Sequence, residues 1–581
     1  MKTIRILIHN RSWLWKTAAL LIFLRALYEA IRLRWLSDDA FISFRYALNL
    51  SRGQGLVFNA GEYVEGFTNL LWTLLVAPAL SMGLDAGSFS MALSIGSMAL
   101  LLGFFLFRAF QPSSQCAAKN EASSGMSGES EALFALDCRG DSSSQATEGQ
   151  QRPEEQVWLL SFFLLAGIHH FHVFATSGLE TMAFTLCASA GTLLLIEGRR
   201  IPSLWLLSVG SLLRPDGVLF LAFAYGFILW QDFQAKIRVG ALVATQKEKV
   251  ERTIAGIQLR NCPQFPDQYF ALLLPLIPLV SSEIWRIYYY GDLLPNTFYA
   301  KSAYSPYAFQ GLSYIFLFYS SYWYLPSLLL AGSIILFVRR RMPRTWFSLL
   351  LLVVLWHGYV IWVGGDFMFA RFLVPILPLL CYLIAVPLIH FLSGLNLAQG
   401  HPGVFWVSLL LIVLPVLRVD KYGELKRQGK EPAIHGIVEE RYYYPPKKMA
   451  ELAGNAKSYR SVVRNSELRV AFHGGAAFLI YYMDPGYALE SSTGLTDRIL
   501  ARRILTQRGR IGHEKEATLQ YMKERNVHIY MWPPAPENLN RQITFAGFWA
   551  PWQIVEYDAG VFETLRKDPR IQFSFRPATP P

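Results

Sequence analysis

Two adjacent carboxylates, Asp38 and Asp39, stand directly after the first long apolar run of the chain. A carboxylate at the mouth of a helix can accept the proton of a hydroxyl that is turning into a nucleophile. It can also do nothing more than cap the helix, because Ser and Asp are favoured there and the helix dipole welcomes negative charge. The same polar stretch, Ser37 to Trp72, carries Arg45 and then Glu65, Thr68, Asn69 and Trp72. Those four fall at i, i+3, i+4 and i+7, so a helix from about Glu65 would place them on one face. Ionisable groups recur at the ends of later apolar runs: Glu180, Arg214 with Asp216, Lys301 near Asn296, and Asp366 with Arg371. Such residues beside a membrane segment are functional-site hypotheses by default. The plain alternatives are a capping Arg214–Asp216 surface pair and a snorkelling Lys301. His169, His170 and His172 are spaced poorly for one helix face and read as packing or interfacial histidines rather than ligands.

These groups have to be positioned by membrane helices. The 581 residues are 53% hydrophobic and 14% aromatic, more than a soluble chain of this length needs for its core. Several apolar runs approach the roughly 20 residues that span a bilayer. The fold class is therefore an α-helical polytopic membrane protein. The first span, about Trp13 to Ile31, follows Lys2, Arg5, Arg11 and Lys16, which puts the N-terminus in the cytoplasm and the carboxylate pair outside. It lacks a small-residue cleavage site and reads as a retained helix rather than a signal peptide. Phe67 to Met82, about 16 residues, is short for a crossing and is expected to lie on the outer surface. Phe89–Phe107, Trp158–Thr176 and Met182–Ile196 follow, then a helical hairpin with Arg214 and Asp216 at its outer tip. Tyr269–Tyr290, Ser313–Phe337, Phe347–Val363, Phe372–Phe391 and Val404–Val416 complete roughly eleven crossings. The odd count places the C-terminus outside, and all the polar segments above then share one face. Arg199–Arg200 and Arg339–Arg341 mark the opposite, cytoplasmic side.

Residues 1–416 thus form a membrane module, with a first exported loop at 34–88. The stretch 111–156, rich in Ser, Glu and Gln, reads as a low-complexity cytoplasmic insertion. From 417 to 581 the chain turns soluble. LRVAF (468–472), VHIYM (527–531) and WQIVEY (552–557) read as strands. Ala476–Met483, Thr496–Gln507 and Glu514–Arg525 read as helices, giving a small exported α/β domain of about 150 residues. His473-Gly474-Gly475 lacks the rest of a dinucleotide turn. The five cysteines have no metal-ligand spacing and no disulfide pattern. The net charge of +12 sits beside apolar runs, so it points to anionic lipid headgroups and a phosphorylated substrate, not nucleic acid.

The wording of several segments carries a resemblance. DDAFISFRYALNL and GLVFNAGEYVEGFTNLLW, then SGLETMAF (177–184), RPDG (214–217), LLPNTFYAK (293–301), GGDFMFARFLVPILP (364–378), and TGLTDRILARR with GHEK (493–503, 512–515) look like parts of one pattern. That pattern resembles the mycobacterial terminal arabinofuranosyltransferases and their relatives named as flagellar motor control proteins. Both are polytopic class C (GT-C) glycosyltransferases. The resemblance implies an inverting transfer of a sugar from a polyprenyl-phosphate donor, in that family polyprenyl-phospho-arabinofuranose, to an envelope glycan or lipid-linked acceptor. The reaction would run on the outer face of the cytoplasmic (inner) membrane. Asp38 or Asp39 would be the base. Lys301, Arg371 and Arg214 would meet the phosphate. The resemblance also makes Asp497, His513 and Lys515 of the C-terminal domain candidates for facing the membrane site. A divalent cation could assist, with no ligands assigned. The chain departs from the pattern at 111–156, and it has Phe367 where the family has a tryptophan. A non-catalytic membrane partner of a motor or envelope complex is the rival reading. A secondary transporter fits less, since no repeat is visible and the ionisable groups gather at one interface.

Overall fold

The computed structural model describes residues 11–111, 153–250, 266–340, 342–394, 436–505, 507–531, 541–548 and 550–575. Most of the expected insertion at 111–156, and all of the span expected at 404–416, lie outside these residues. So do Cys116, Cys138 and Cys262.

Up to Gly394 the described chain is helical. Among the described residues, five helices are long and apolar enough to cross a membrane: Ala86–Phe110, Pro215–Ile237, Phe270–Tyr290, Arg344–Val363 and Val374–Leu392. The Phe270–Tyr290 helix shows why the solvent must be lipid. Only 6% of its apolar window is buried against protein, and such a surface is stable only in hydrocarbon. The chain is a multi-pass membrane protein. Other apolar runs counted in the sequence form shorter helices, Leu70–Ser81, Thr181–Ile196 and Arg200–Leu213.

The run expected as one span at Ser313–Phe337 is two helices, Ala308–Ser321 and Tyr324–Val338, bent by 87°. Pro326 sits in the first turn of the second helix, where its missing N–H costs nothing and a new helix can start. At the bend Tyr322 is fully buried, and its hydroxyl lies 2.5 Å from His170 Nδ1.

The C-terminal part is built on one six-stranded mixed sheet in the order β2-β1-β3-β5-β4-β6. β1 (Arg469–Phe472) pairs in parallel with β2 (Tyr487–Glu490) and β3 (Ile529–Tyr530). β4 (Arg541–Phe545), β5 (Trp552–Ile554) and β6 (Ile571–Phe575) are antiparallel. Two helices expected here are shorter than read. Thr496–Gln507 gives only Arg498–Ala501, because the Lys515 ammonium takes the carbonyls of Ala501 and Arg503 that a longer helix would need. Glu514–Arg525 gives Leu519–Glu524, capped by Thr518. The residues before it bond as an extended segment to the carbonyls of Ser491 and Ser492.

Candidate functional site

The carboxylate pair opens a helix that spans Asp38–Ser51. Its two faces do different work. One face carries Asp38, Phe41 and Arg45, and packs along the helix Ala477–Met483 of the C-terminal part. That helix has only seven residues and an alanine, Ala476, at its N-cap. It is too short to hold by itself, and its caps come from elsewhere in the chain. The Asp38 carboxylate accepts from the amides of Gly475 (3.1 Å), Ala477 (3.0 Å) and Phe478 (2.9 Å). At the other end the Arg45 guanidinium donates to the carbonyls of Pro485 (2.9 Å) and Ile480 (3.4 Å). A carboxylate at one terminus and a cation at the other match the helix dipole at both ends. Between them Phe41 meets Tyr481 and Tyr482, with ring centroids 5.6 and 5.5 Å apart. The capping reading of the carboxylate pair is therefore realised by Asp38, across domains rather than on its own helix.

The second face carries Asp39, Ser43 and Tyr46, and turns to the group of ionisable residues. Asp39 keeps 31% of its side-chain surface open and lies 3.8 Å from Arg371. Arg371 also reaches Glu180 (3.3 Å) and Asp366 (3.4 Å), both buried. Glu180 accepts in turn from Asn69 (2.9 Å), whose oxygen accepts from Ser43 (2.9 Å) and Thr73 (3.1 Å). Arg214 lies nearby, paired with Asp216 and held between the rings of Phe372 and Phe184 at 4.8 and 5.3 Å. Two donors in this group, Arg214 Nη1 and Arg371 Nε, are buried with no hydrogen-bond partner among the described residues. Buried guanidinium N–H groups of that kind are suited to phosphate oxygens.

Local backbone explains how this loop holds. Gly365 has φ +75°, and a Cβ there would stand 2.6 Å from the Tyr314 ring. Ala370, just before Arg371, is left-handed at φ 67°, a strained state for a residue with a Cβ. Tyr314 clamps the turn by donating to Met368 O (3.0 Å) and accepting from the Phe372 amide (3.1 Å). Val438 pairs across the same loop, with Val438 N to Phe367 O and Phe369 N to Val438 O both 2.8 Å.

That pairing brings in Glu440, which sequence reading passed over. It is buried, accepts from Ser37 Oγ at 3.2 Å, and faces Asp38 and Asp39. Its signal in the sequence is only an acidic pair before a Tyr run, which is common on surfaces. Lys301 enters from the other side, close enough to Asp39 and His513 to shift both, and its ammonium makes no hydrogen bond among the described residues. His513 packs edge-on against Phe367 at 5.2 Å, and Arg510 lies over the same ring at 5.2 Å. The ring at 367 thus contacts both a guanidinium and an imidazole, a place that suits an aromatic side chain.

Electrostatics follow from this crowding. Burial raises the Asp39 carboxyl above its usual range, with Arg371 and Lys301 pulling it down and Asp366 and Glu180 pushing it up. Burial, with Asp39 and Asp38 beside it, lifts Glu440 well above the usual carboxylate range. For Asp38 burial wins over the three amides and brings it to about 7. Burial and Arg510 hold His513 down to about 3, so its ring is neutral at ordinary pH. Among the described residues no group of three or more His, Cys, Asp or Glu is arranged to hold a metal ion.

Other sequence candidates stand apart from this group. Glu65 precedes the helix, which starts at Leu70, and pairs with Arg286 at 2.6 Å, so the expected shared face of Glu65 and Asn69 is not formed. Asn296 donates to the carbonyls of Gly494 and Leu495, 2.9 Å each, and ties the two parts of the chain together. Asp497 caps Arg498–Ala501 and accepts from Tyr521 at 2.7 Å, inside the C-terminal part. Lys515 is spent on backbone carbonyls.

Comparison with known proteins bears out the resemblance over a long stretch. The chain is 29% identical over 392 residues to the terminal β-(1→2)-arabinofuranosyltransferase of Corynebacterium glutamicum, covering 64% of this chain and 50% of that protein. It is 35% identical over 96 residues to the enzyme of the same name from Mycobacterium tuberculosis, 16% of this chain and 15% of that one. It therefore spans half or less of these relatives' lengths. No family model matches. The crystal structure of ArnT from Cupriavidus metallidurans bound to undecaprenyl phosphate aligns with a TM-score of 0.45 and 14% identity, over 84% of this chain and 87% of that one.

Proposed function

We propose that this similarity to terminal arabinofuranosyltransferases reflects shared chemistry. The chain is a GT-C membrane glycosyltransferase that moves a sugar, a pentofuranose such as arabinofuranose, from a polyprenyl-phosphate donor to an envelope glycan. The observation that carries the reading is the Asp39 carboxylate, part open beside Arg371 and Lys301, with unmet guanidinium donors behind it. The acceptor hydroxyl oxygen attacks the anomeric carbon from the face opposite the phosphate and inverts it. Asp39 takes the hydroxyl proton, and the C–O bond to phosphate breaks with its electron pair leaving on the phosphate. Arg371, Arg214 and Lys301 meet the charge that grows on that leaving group. Glu180, Asp366 and Asn69 hold Arg371 in place. The site faces outward, where nucleotide sugars are absent and a lipid-linked donor is available.

The direct test supplies the purified full chain, in nanodiscs, with polyprenyl-phospho-arabinofuranose and an arabinan acceptor. A new terminal residue on the acceptor, of anomeric configuration opposite to the donor's, is expected. No transfer there, together with an unchanged envelope glycan in cells lacking the protein, would count against the reading.

The pH profile carries a second expectation. A base works only when ionised, so activity falls as pH drops through the Asp39 pKa, which lies above the ordinary carboxylate value of about 3.9. Lys301 is one of the two cations lowering that pKa. Lys301→Ala therefore moves the acid limb of kcat/KM to higher pH and raises KM for the donor. An acid limb that stays put or moves down removes Lys301 from the neighbourhood of the base.

A further inference from the structure

One segment of the C-terminal part carries apolar side chains that its own core does not use. In Arg498–Arg510 (RILARRILTQRGR), Ile499 is 63% exposed and Ile504 is 89% exposed. These two large aliphatic side chains stand open five residues apart in one arginine-rich segment.

The segment's contacts fix where it lies. Arg498 donates to the carbonyl of Tyr290, the last residue of the lipid-facing helix Phe270–Tyr290. Arg502 pairs with Asp292 at 2.7 Å and covers the Tyr299 ring at 4.1 Å. At the other end Arg508 donates to Ser305 O at 3.0 Å, just before the apolar helix Ala308–Ser321. The two ends of the segment therefore bond beside the ends of two apolar helices, which is where the headgroup level of a bilayer spanned by those helices would fall. Its open side chains continue the lipid-facing surface of those helices: Tyr288 is 89% exposed, Leu293 61% and Phe309 69%.

The charge fits the same place. Five arginines, at 498, 502, 503, 508 and 510, fall in this segment. Two carboxylates, Asp292 and Glu514, pair with three of them. The excess is positive, and Arg503 and Arg510 make no ion pair among the described residues. Aliphatic side chains among arginines at an interface match an anionic leaflet.

We infer that Ile499 and Ile504 insert into the outer leaflet and that the neighbouring arginines hold anionic phospholipid headgroups, so that the C-terminal domain rests on the membrane itself. This does not depend on the chain transferring sugar. The test uses the full chain in nanodiscs of phosphatidylglycerol with brominated acyl chains. Bimane is attached at Ile504→Cys and, as a control, at Glu563→Cys on the exposed side of the helix Ala559–Arg566. Unsubstituted protein treated the same way gives the background from the native cysteines. Quenching several-fold stronger at 504 than at 563, weakening when brominated phosphatidylcholine replaces the anionic lipid, is the expected result. Equal quenching at both sites overturns the inference. Protection of 504 from aqueous iodide without quenching by brominated lipid also overturns it, since the cover is then protein. Quenching indifferent to headgroup charge overturns the role of the arginines.

Discussion

Asp39→Asn lowers sugar transfer by about 10²- to 10⁴-fold, the range a positioned general base supplies, while the protein still inserts and keeps its thermal midpoint. The substitution keeps the shape of the side chain and removes only its ability to take a proton. Asp39 is part open and makes no hydrogen bond among the described residues, only a 3.8 Å ion pair with Arg371, so little folding energy is at risk. Arg371 keeps Glu180 and Asp366 as partners. The check is a donor-turnover assay on purified protein at matched concentrations, with thermal melts alongside. Full activity in the variant removes Asp39 as the base.

Asp38→Ala gives the opposite pattern. Its carboxylate satisfies three amides at the start of a helix that has no cap of its own. Leaving buried donors unmet costs about 1–3 kcal/mol each. The helix termini can fray toward solvent, so about 3 to 5 kcal/mol in all is expected. The loss falls on the docking of the C-terminal part. Limited proteolysis should cut within 475–485 earlier than in the unsubstituted protein, and the melting midpoint should drop. Asp38→Asn keeps one acceptor oxygen and should fall between the two. Unchanged proteolysis in Asp38→Ala would show that the helix holds without this cap. The two adjacent aspartates are then separated by readout: one variant is stable and inactive, the other is loosened.

The sequence made the groups visible and left their division of labour hidden. Asp38 and Asp39 point in different directions because neighbours on a helix are turned by about 100°, but which direction meets what depends on a segment more than 430 residues away. The scattered polar ends of apolar runs did converge: Glu180, Asp366, Arg371 and Asn69 form one bonded network. Asp497, Lys515 and Asn296 drew notice for their charge or polarity, yet they satisfy buried backbone groups, a use that composition cannot distinguish from ligand binding. Glu440 escaped because its place depends on the pairing of Val438 with the Phe367–Phe369 loop, a long-range contact with no periodicity. Strands β2, β4 and β6 were missed for a related reason. β2 is buried at all four positions and so shows no alternation, and β4 and β6, five residues each, are paired with one another across a long connection.

The cap that Asp38 places on Gly475, Ala477 and Phe478 joins residues 437 to 440 apart in the chain. During synthesis the first helix enters the membrane long before its partner exists. The helix Asp38–Ser51 therefore waits, its buried acid and arginine unmatched, until residues 475–485 have been synthesised. Every nascent chain that stalls before residue 475 presents that mismatched helix at the membrane surface. A chain ended there lacks the contacts that fix the helix carrying Asp39.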